Sequence, residues 1–340
     1  MKNKTSRNVL LAIPRDYERF VALWTAGAAD LSANLNLNIH FIDKTPMNLS
    51  GWNQALSGFQ AIITSWCTPP LNRVVMENNE TIALIAHAAG SVSDLVSELP
   101  RPDIMVTTAN PIMASSVAEW CMAMTWVGLA NMLKYANFGG LRPLNWNKTA
   151  SDFRNIRNSI IGIWGYGDIS AEYIHFLKAF SPKKILMHSS HFRSAEDAIE
   201  PASLEDMFSQ ADAIVLLAAL NTTNEGRVGT DLLRRLKPGA VLLNPGRGRL
   251  IDEGALITAL NQGRFTYIAD AFHREPLPDN DLLQHFTNVI LTPHCAGRNT
   301  GQFVPAMLRE VRRFYNGEAL HYAVTRERLK TMTSNRLNYG

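Results

Sequence analysis

Short apolar runs alternate with stretches of helical periodicity over residues 1–110. A helical pattern at residues 16–27 separates the first two apolar runs, and turn-forming residues bound the others. Strands that alternate with helices pair in parallel, because each helix returns the chain to the same end of the sheet. The pattern therefore predicts one parallel sheet, with strands at residues 9–13, 39–42, 61–65, 81–86 and 104–107.

A second series of the same kind follows residue 159. Its apolar runs are again short, and the helical stretches between them include residues 231–236 and 253–261. A chain of 340 residues exceeds what one hydrophobic core usually holds, so a second domain is expected. This second series predicts a second parallel sheet, with strands at residues 160–164, 183–188, 213–218, 240–244, 267–269 and 289–291.

A long apolar helix is predicted between the two series. Asn110 and Pro111 interrupt the chain, and the segment from Ser116 to Glu119 fits a capping box, in which the two side chains bind each other's unpaired backbone donors. Residues 117–133 are apolar on most sides. A helix without a polar face belongs between two packed bodies, so the domain junction is placed here.

A tight glycine turn joins the strand at residues 160–164 to a helix that starts near Asp168. Gly165 permits unusual backbone angles, and Gly167 lacks the Cβ that would keep a pyrophosphate away from the helix N-terminus. This is a dinucleotide-binding signature, although Ser170 stands where the third glycine is usual. The turn alone fits an unrelated α/β protein about equally well.

The charge and cysteine content of the chain argue against several classes of binding partner. The net charge of +3 is too small and too dispersed for a nucleic-acid surface or a membrane patch. The three cysteines are scattered, so neither disulfides nor a metal site is expected. The apolar run at residues 9–13 is too short for a signal peptide, and no longer run is expected to span a bilayer. These features predict a cytoplasmic protein.

The segment after the strand at residues 183–188 bears on cofactor choice. NAD-binding domains normally place an acidic residue there, which binds the ribose 2′-hydroxyl. The segment from His188 to Arg193 contains no acid. The hydroxyl of Ser189 and the guanidinium of Arg193 suit a 2′-phosphate, which favours NADP over NAD. In the alternative, Arg193 is only a solvated surface residue.

Three reactive side chains, Arg247, Glu275 and His294, each follow one of the last three strands of the second predicted sheet. An arginine at a strand's carboxyl end can bind a carboxylate with one planar fork and polarise a carbonyl. A histidine oriented by a nearby glutamate is a suitable proton donor to a carbonyl oxygen as a hydride reaches its carbon. Each residue alone has an ordinary structural explanation, but their order after a dinucleotide turn is much more specific.

These motifs resemble the D-isomer-specific 2-hydroxyacid dehydrogenase family, in particular its glyoxylate and hydroxypyruvate reductases. The resemblance covers nearly the whole chain and is strongest over residues 160–297. Residues 243–256, 270–277 and 292–294 are similar to the family's arginine, acidic and acid/base motifs. Residues 87–90 resemble the loop whose backbone donors bind the substrate carboxylate.

The resemblance implies a role for each of these residues. Arg247 and the amides of Ala89 and Gly90 would bind the substrate carboxylate, while Glu275 would orient His294, the acid/base. Asp270 would lie against the nicotinamide, and Asp168 would bring negative charge close to the pyrophosphate. The implied cofactor-binding residues are Gly165, Gly167, Asp168, Ile169, Ser189, Arg193 and Asp270.

The resemblance also implies an α/β architecture of two doubly wound parallel-sheet domains. A Rossmann cofactor domain, residues 110–301, would be inserted into a flavodoxin-like substrate domain made of residues 1–109 and 302–340. A C-terminal helix at about residues 302–316 would cross back to that domain. The family and the apolar segment at residues 117–133 favour a homodimer.

We therefore expect an enzyme that transfers a hydride reversibly between NADP or NAD and C2 of a small 2-oxo acid, without nucleic-acid or membrane partners. One alternative is a regulatory protein that senses dinucleotide on the same fold, although residues 325–340 form no charged or low-complexity tail. A methyltransferase that binds S-adenosylmethionine would leave Arg247, Glu275 and His294 unexplained. Ala219 and the pair His273 and Arg274 are further departures from the family pattern.

Overall fold

The computed structural model describes residues 7–45, 48–71, 73–93, 95–96, 101, 103–136, 152–192, 198–298 and 300–332. These residues form two compact units. The first unit contains the described parts of Met1–Met113 and Arg298–Asn335, and the second contains those of Ala114–Gly297.

Parallel strands and connecting helices account for most of the described chain. The strands are β1 Asn8–Leu11, β2 Asn38–Phe41, β3 Ala61–Thr64, β4 Leu84–His87, β5 Met105–Thr108, β6 Ile160–Trp164, β7 Lys184–His188, β8 Ile199–Pro201, β9 Ala213–Leu216, β10 Ala240–Asn244, β11 Phe265–Ala269 and β12 Val289–Leu291. The helices are α1 Phe20–Leu23, α2 Ala26–Asn34, α3 Leu49–Leu56, α4 Arg73–Glu77, α5 Asn110–Leu129, α6 Met132–Tyr135, α7 Asp168–Phe180, α8 Leu204–Gln210, α9 Thr230–Arg235, α10 Glu253–Leu260, α11 Phe303–Asn316 and α12 Arg326–Thr331. Short 3-10 helices lie at Ile156–Asn158, Gly248–Leu250, Leu282–His285 and Thr300–Gln302.

The first unit is built on a five-stranded parallel sheet with the order β2-β1-β3-β4-β5. This is the flavodoxin-like strand order, in which the chain changes direction between β1 and β3. The fold class predicted for this domain is thereby confirmed. Apolar clusters cover both faces of the sheet, one of them formed with α11 through Phe303, Met307 and Val311. The carboxyl ends of β1, β3 and β4 consequently lie side by side.

Two elements of the first unit differ from the sequence-based expectation. The helix predicted at residues 16–27 is two helices, α1 and α2, because Thr25 is extended, with ψ of 161°. The strand predicted at residues 81–86 begins only at Leu84, because the amide of Ile82 closes a turn onto the carbonyl of Asn79 at 3.2 Å.

The second unit is built on a seven-stranded parallel sheet with the order β12-β11-β10-β9-β6-β7-β8. This is the Rossmann order extended by one strand, and it confirms the predicted doubly wound fold. The strand order reverses between β6 and β9, which places the glycine turn after β6 at the switch point where such sheets bind ligands. Strand β8 was not predicted, because it is three residues long and two of them are exposed.

Helix α5 begins earlier than the sequence suggested. It starts at Asn110 with Pro111 in its first turn, where the missing N–H is not needed for the helix. The capping box predicted from Ser116 to Glu119 is wrong, because Ser116 lies inside the helix and its Oγ donates to the carbonyl of Ala296 at 2.9 Å. A serine six residues into the helix therefore ties α5 to the loop after β12.

The boundary between the two units falls within α5, after Met113, and again after Gly297. The sequence-based boundaries were residues 109/110 and 301/302. The first turn of α5 groups with the first unit because Ile112 and Met113 pack on its core. By length and composition α5 would also suit a membrane span, contrary to the sequence-based expectation, but core helices of soluble proteins meet the same criteria.

Candidate active site

The turn after β6 contains two glycines, Gly165 and Gly167, and each meets a different structural requirement. Gly165 has φ of 109°, and a Cβ on it would lie 2.6 Å from the backbone of Leu217 and Ala218. The protein itself therefore requires glycine at this position. A Cβ on Gly167 would meet no atom of the described residues within 4 Å, so the space above this glycine forms a cradle at the N-terminus of α7. That cradle fits the pyrophosphate of a dinucleotide.

Ser170 replaces the third glycine of the signature and closes the turn by hydrogen bonds. Its buried Oγ accepts from the amide of Gly167 at 2.6 Å and donates to the carbonyl of Gly167 at 2.9 Å. Asp168 and Ile169 occupy the first turn of α7, whose N-terminus favours an anion. The carboxylate of Asp168 places a negative charge at this helix end, and that charge repels a bound anion. The residues present thus fit a dinucleotide with one unfavourable charge.

The end of β7 carries hydroxyls and no acid over residues 188–192. His188 is held by the carbonyl of Ala202 at 2.8 Å from its Nδ1, and Ser189 Oγ accepts from the amide of His191 at 3.2 Å. The ring of Phe192 packs against Tyr166 of the glycine turn, with centroids 5.7 Å apart. Arg193 lies outside the described residues.

Arg247 follows β10 in a loop that the last residue of that strand shapes. Asn244 is buried, its Nδ2 donates to the carbonyl of Arg247 at 3.0 Å, and its Oδ1 accepts from the amide of Arg247 at 3.2 Å. The guanidinium donates from Nη1 to the carbonyl of Gly246 at 2.8 Å. Gly248 packs so closely on the backbone of Phe272 that no side chain fits there. Asn244 and Gly248 therefore fix the backbone that carries Arg247.

His294 and Glu275 form a direct pair at the ends of neighbouring strands. His294 Nδ1 lies 2.5 Å from Glu275 Oε2, and Glu275 Oε1 accepts from the amide of Phe272 at 2.9 Å. Burial raises the pKa of Glu275, but the hydrogen bond and charge of His294, the Phe272 amide and the charge of Arg247 outweigh it and hold that pKa below its usual value. The glutamate is consequently a carboxylate at neutral pH.

The backbone of His294 is held in an unusual conformation by Asp270. His294 has φ of 47°, the left-handed region, which costs free energy in a non-glycine residue and is found preferentially at functional sites. The buried carboxylate of Asp270 accepts from Thr292 Oγ1 at 2.5 Å and from the amides of Cys295 and Ala296 at 2.8 and 2.9 Å. Asp270 thus fixes both flanks of the histidine. The sequence assigned Asp270 to the nicotinamide, and the contacts seen here give it a positioning role.

Ala89 and Gly90 follow β4 in the first unit, where both are buried. Thr108 Oγ1 donates to the carbonyl of Ala89 at 2.9 Å and also to that of Gly90. Among the described residues, neither amide of this pair has an acceptor. A Cβ on Gly90 would lie 2.1 Å from the terminal methyl group of Met113, which would have to move. The loop therefore offers two backbone donors of the kind that bind a carboxylate.

The unusual His273 has a structural explanation. Its Nε2 lies 2.8 Å from the carbonyl of Ile251, so the ring ties the loop after β11 to a residue two positions before α10. Ala219, another departure, accepts through its carbonyl from Asn224 Nδ2 at 2.7 Å. Within the described ranges, no cluster of three or more histidine, cysteine or acidic side chains could hold a metal ion.

The second unit therefore gathers Arg247, Asp270, Glu275 and His294 at the carboxyl edge of a dinucleotide-type sheet. Sequence reasoning missed the role of Asn244 in shaping the Arg247 loop. The sequence indicated this role only through a polar residue, Asn244, at the end of the otherwise apolar strand β10, whose sequence is AVLLN. The fold and these side chains define a nicotinamide-dependent dehydrogenase.

Comparison with known proteins identifies the family. Residues 128–296 match the D-isomer specific 2-hydroxyacid dehydrogenase, NAD binding domain, and the chain belongs to this family of oxidoreductases. The glyoxylate reductase of Korarchaeum cryptofilum is 27% identical over 241 residues, which are 69% of this chain and 72% of that protein.

Solved structures share the fold. The NADPH-dependent glyoxylate/hydroxypyruvate reductase of Sinorhizobium meliloti, in complex with NADP and sulfate, has a TM-score of 0.70 at 19% identity and covers 96% of this chain and 100% of its own. The NAD-complexed D-isomer specific 2-hydroxyacid dehydrogenase of Lactobacillus delbrueckii has a TM-score of 0.72 at 17% identity, with 94% and 99% covered. The regulatory alternative is not favoured, because the named relatives are reductases and dehydrogenases.

Proposed function

We propose that this protein reduces a small 2-oxo acid at C2 and oxidises the corresponding D-2-hydroxy acid in the reverse direction. The pairing of His294 with Glu275 at 2.5 Å carries the proposal. A solvent-accessible imidazole bound to a carboxylate is an acid/base, and this one follows a strand of a dinucleotide-binding sheet.

Each unit supplies groups that suit a substrate carboxylate. In the first unit the amides of Ala89 and Gly90 are donors of this kind, and in the second unit the guanidinium of Arg247 is suited to bind a carboxylate or to polarise a carbonyl. A bound nicotinamide cofactor would supply the hydride that C2 receives. Arginine suits this role because it stays charged throughout the pH range of the reaction.

His294 supplies the proton. Because Nδ1 binds Glu275, Nε2 is the nitrogen that donates to the carbonyl oxygen during reduction and takes the proton back during oxidation. The carboxylate of Glu275 fixes the orientation of the ring through its contact with Nδ1. Asp270 keeps the flanking backbone in place through Thr292 and the amides that follow His294.

We also propose that NADP is preferred over NAD. The support is the absence of an acid over residues 188–192, together with the hydroxyl of Ser189 and the charge of Arg193 in the sequence. Replacing Arg193 with alanine should weaken NADPH binding more than NADH binding, because only NADPH carries the 2′-phosphate. Arg235→Ala, an exposed arginine of α9, is the matched control and should change neither.

The test of the function is the loss of reduced-cofactor absorbance with glyoxylate, hydroxypyruvate, pyruvate and longer 2-oxo acids, run in parallel with NADPH and NADH. Turnover of at least one acid is expected. Binding of both cofactors without turnover of any acid would replace the proposal with the dinucleotide-sensing alternative.

The protein is further proposed to be a cytoplasmic homodimer. The support is the apolar composition of α5 and the scattered cysteines. Sedimentation equilibrium of the purified protein and fractionation of the cells that make it test the two parts separately, and a monomer or a membrane-bound pool would contradict them.

A further inference from the structure

We propose that Arg19 and Trp66 form a subsite for a second anionic group of the substrate, so that the preferred substrates are 2-oxo dicarboxylic acids. This inference rests on the proposed function and narrows it. It concerns only the first unit, where the amides proposed to bind the C1 carboxylate are also found.

The loops after β1, β3 and β4 are fastened together at the carboxyl edge of the sheet. Thr68 Oγ1 donates to the carbonyl of Ala12, beyond β1, at 2.9 Å and accepts from the amide of Ser65 at 3.0 Å. Ser65 Oγ in turn donates to the carbonyl of Ala88 at 3.4 Å, and the amide of Ala88 donates to the carbonyl of Thr64 at 2.7 Å. The three loops consequently form one continuous surface.

Trp66 stands on this surface next to the carboxylate-binding loop. It directly follows Ser65, whose partner Ala88 directly precedes Ala89. The ring of Trp66 packs against the buried ring of Phe303, with centroids 6.1 Å apart, yet the residue is 37% exposed. A tryptophan fixed on one side and open on the other is suited to contact a ligand.

Arg19 lies over that open tryptophan. Its guanidinium carbon is 6.0 Å from the Trp66 ring centroid, within the range of a cation–π contact. Its Nε lies 3.7 Å from Glu18, a highly exposed neighbour. Its two terminal nitrogens have no acceptor among the described residues. Arg19 therefore presents a planar fork of donors beside the tryptophan.

Other charges of this edge are already engaged. Arg15 pairs with Asp43 at 3.6 Å and lies over the ring of Phe41 at 4.3 Å. The carboxylate of Asp16 accepts from the amide and hydroxyl of Thr45 at 3.0 and 3.1 Å. Arg19 is thus the cation of this loop that is placed to receive an incoming anion.

The preferred class of substrate follows from the distance between adjacent strands of the sheet. Adjacent strands lie about 4.8 Å apart, so the loop after β3 begins about one strand spacing from the amides of Ala89 and Gly90. With C1 on those amides, a substituent that continues along the edge passes Trp66 and reaches Arg19. Its methylene carbons pack on the indole, and a terminal carboxylate accepts from the guanidinium fork.

The test compares 2-oxoglutarate and oxaloacetate with the monoacids of equal chain length, 2-oxopentanoate and 2-oxobutyrate. The wild-type protein should have the higher kcat/KM for the diacids. In Arg19→Met the ratio of diacid to monoacid kcat/KM should fall about tenfold or more, which corresponds to about 1.4 kcal/mol for a charge-assisted contact. Arg19→Lys, which keeps the charge and loses the fork, should lie between the two.

Arg15→Met is the matched control, and it should leave the diacid to monoacid ratio at the wild-type value. Binding of 2-oxoglutarate, followed by quenching of tryptophan fluorescence, provides a readout without turnover and should weaken in Arg19→Met. An unchanged ratio in Arg19→Met, or a preference for phenylpyruvate that depends on Trp66 and not on Arg19, would overturn the subsite. Turnover of monoacids in that case would leave the proposed function standing, whereas no turnover of any 2-oxo acid would remove both.

Discussion

Each of the two units has a histidine at the carboxyl edge of its parallel sheet, and the two side chains differ in burial and in hydrogen-bond partner. His87 ends β4 of the first unit, is only 3% exposed, and its Nδ1 lies 3.0 Å from Thr64 Oγ1. Burial lowers the pKa of His87 to about 4, so the ring is neutral. His294 follows β12 of the second unit, its side chain is 43% exposed, and its partner is the carboxylate of Glu275.

The comparison shows that the position on the fold does not make a histidine catalytic. Burial lowers the pKa of His87 and disfavours its imidazolium, whereas His294 has access to solvent and a carboxylate as its partner. The backbone also differs, since His294 has a left-handed conformation and His87 is an ordinary strand residue. We infer that only His294 exchanges a proton with substrate.

The largest expected effect follows from His294→Asn. Loss of the proton donor should lower kcat by about 10²–10⁴-fold, the usual contribution of a positioned general acid. NADPH binding, measured by fluorescence titration, should remain within about twofold of wild type because the substitution leaves the glycine turn intact. His285→Asn, an exposed histidine of the same unit, is the matched control. Undiminished turnover in His294→Asn would contradict the assignment of roles.

The second effect concerns stability and His87. The pKa of His87 is lowered in the folded protein to about 4 from 6.5, so the unfolded chain binds more protons between these values. The free energy of unfolding should therefore fall as pH falls from 6.5 to 4, by up to about 3 kcal/mol from this residue.

His87→Asn should be less stable than wild type at pH 7, because the contact with Thr64 is lost, but should show a flatter fall below pH 6.5. Urea unfolding at several pH values measures both. The exposed His321→Asn of the same unit serves as control and should keep the wild-type slope. A slope in His87→Asn equal to that of wild type would show that His87 is not the group responsible.

A smaller effect, about ten- to a hundredfold in kcat/KM, is expected from Glu275→Gln. The neutral amide no longer holds the ring through a charge-assisted contact with Nδ1, so kcat should fall more than the affinity for substrate. The lowered pKa of Glu275 also means that its carboxylate stabilises the fold above the usual carboxyl pKa and loses this contribution as pH falls through the folded value. A rise in KM with kcat unchanged would contradict the positioning role of Glu275.

The smallest expected effects come from replacing two threonines, one in each unit, that contact the residues compared above. Thr64→Val removes one partner of His87, and Thr292→Val removes one of three donors to Asp270. Each should cost about 1 kcal/mol in the free energy of unfolding. Only Thr292→Val should also lower kcat, because it alone loosens the backbone that flanks His294. Equal losses of turnover in both variants would weaken the distinction between the two histidines.

The strand sequence of both sheets could be predicted because alternating apolar runs and helices leave a local pattern. The pattern was less reliable for elements whose presence or bounds depend on tertiary packing. Strand β8 has too few apolar residues to be recognised, and α5 already includes Pro111 in its first turn, which packs on the first unit's core. The capping box at Ser116 had the right residues, but that side chain binds the carbonyl of Ala296, 180 positions away.

By itself the sequence determined the fold class and the chemistry available: two series of parallel strands, a glycine turn, and an arginine, a glutamate and a histidine after three late strands. These follow from local rules, since the carboxyl ends of parallel strands always meet at one edge. Tertiary structure alone decided that Asp270 anchors the His294 loop, that His87 is buried and His294 is exposed, and that Arg19 lies over Trp66. Burial and hydrogen-bond partners arise from residues distant in the chain, so no local pattern records them.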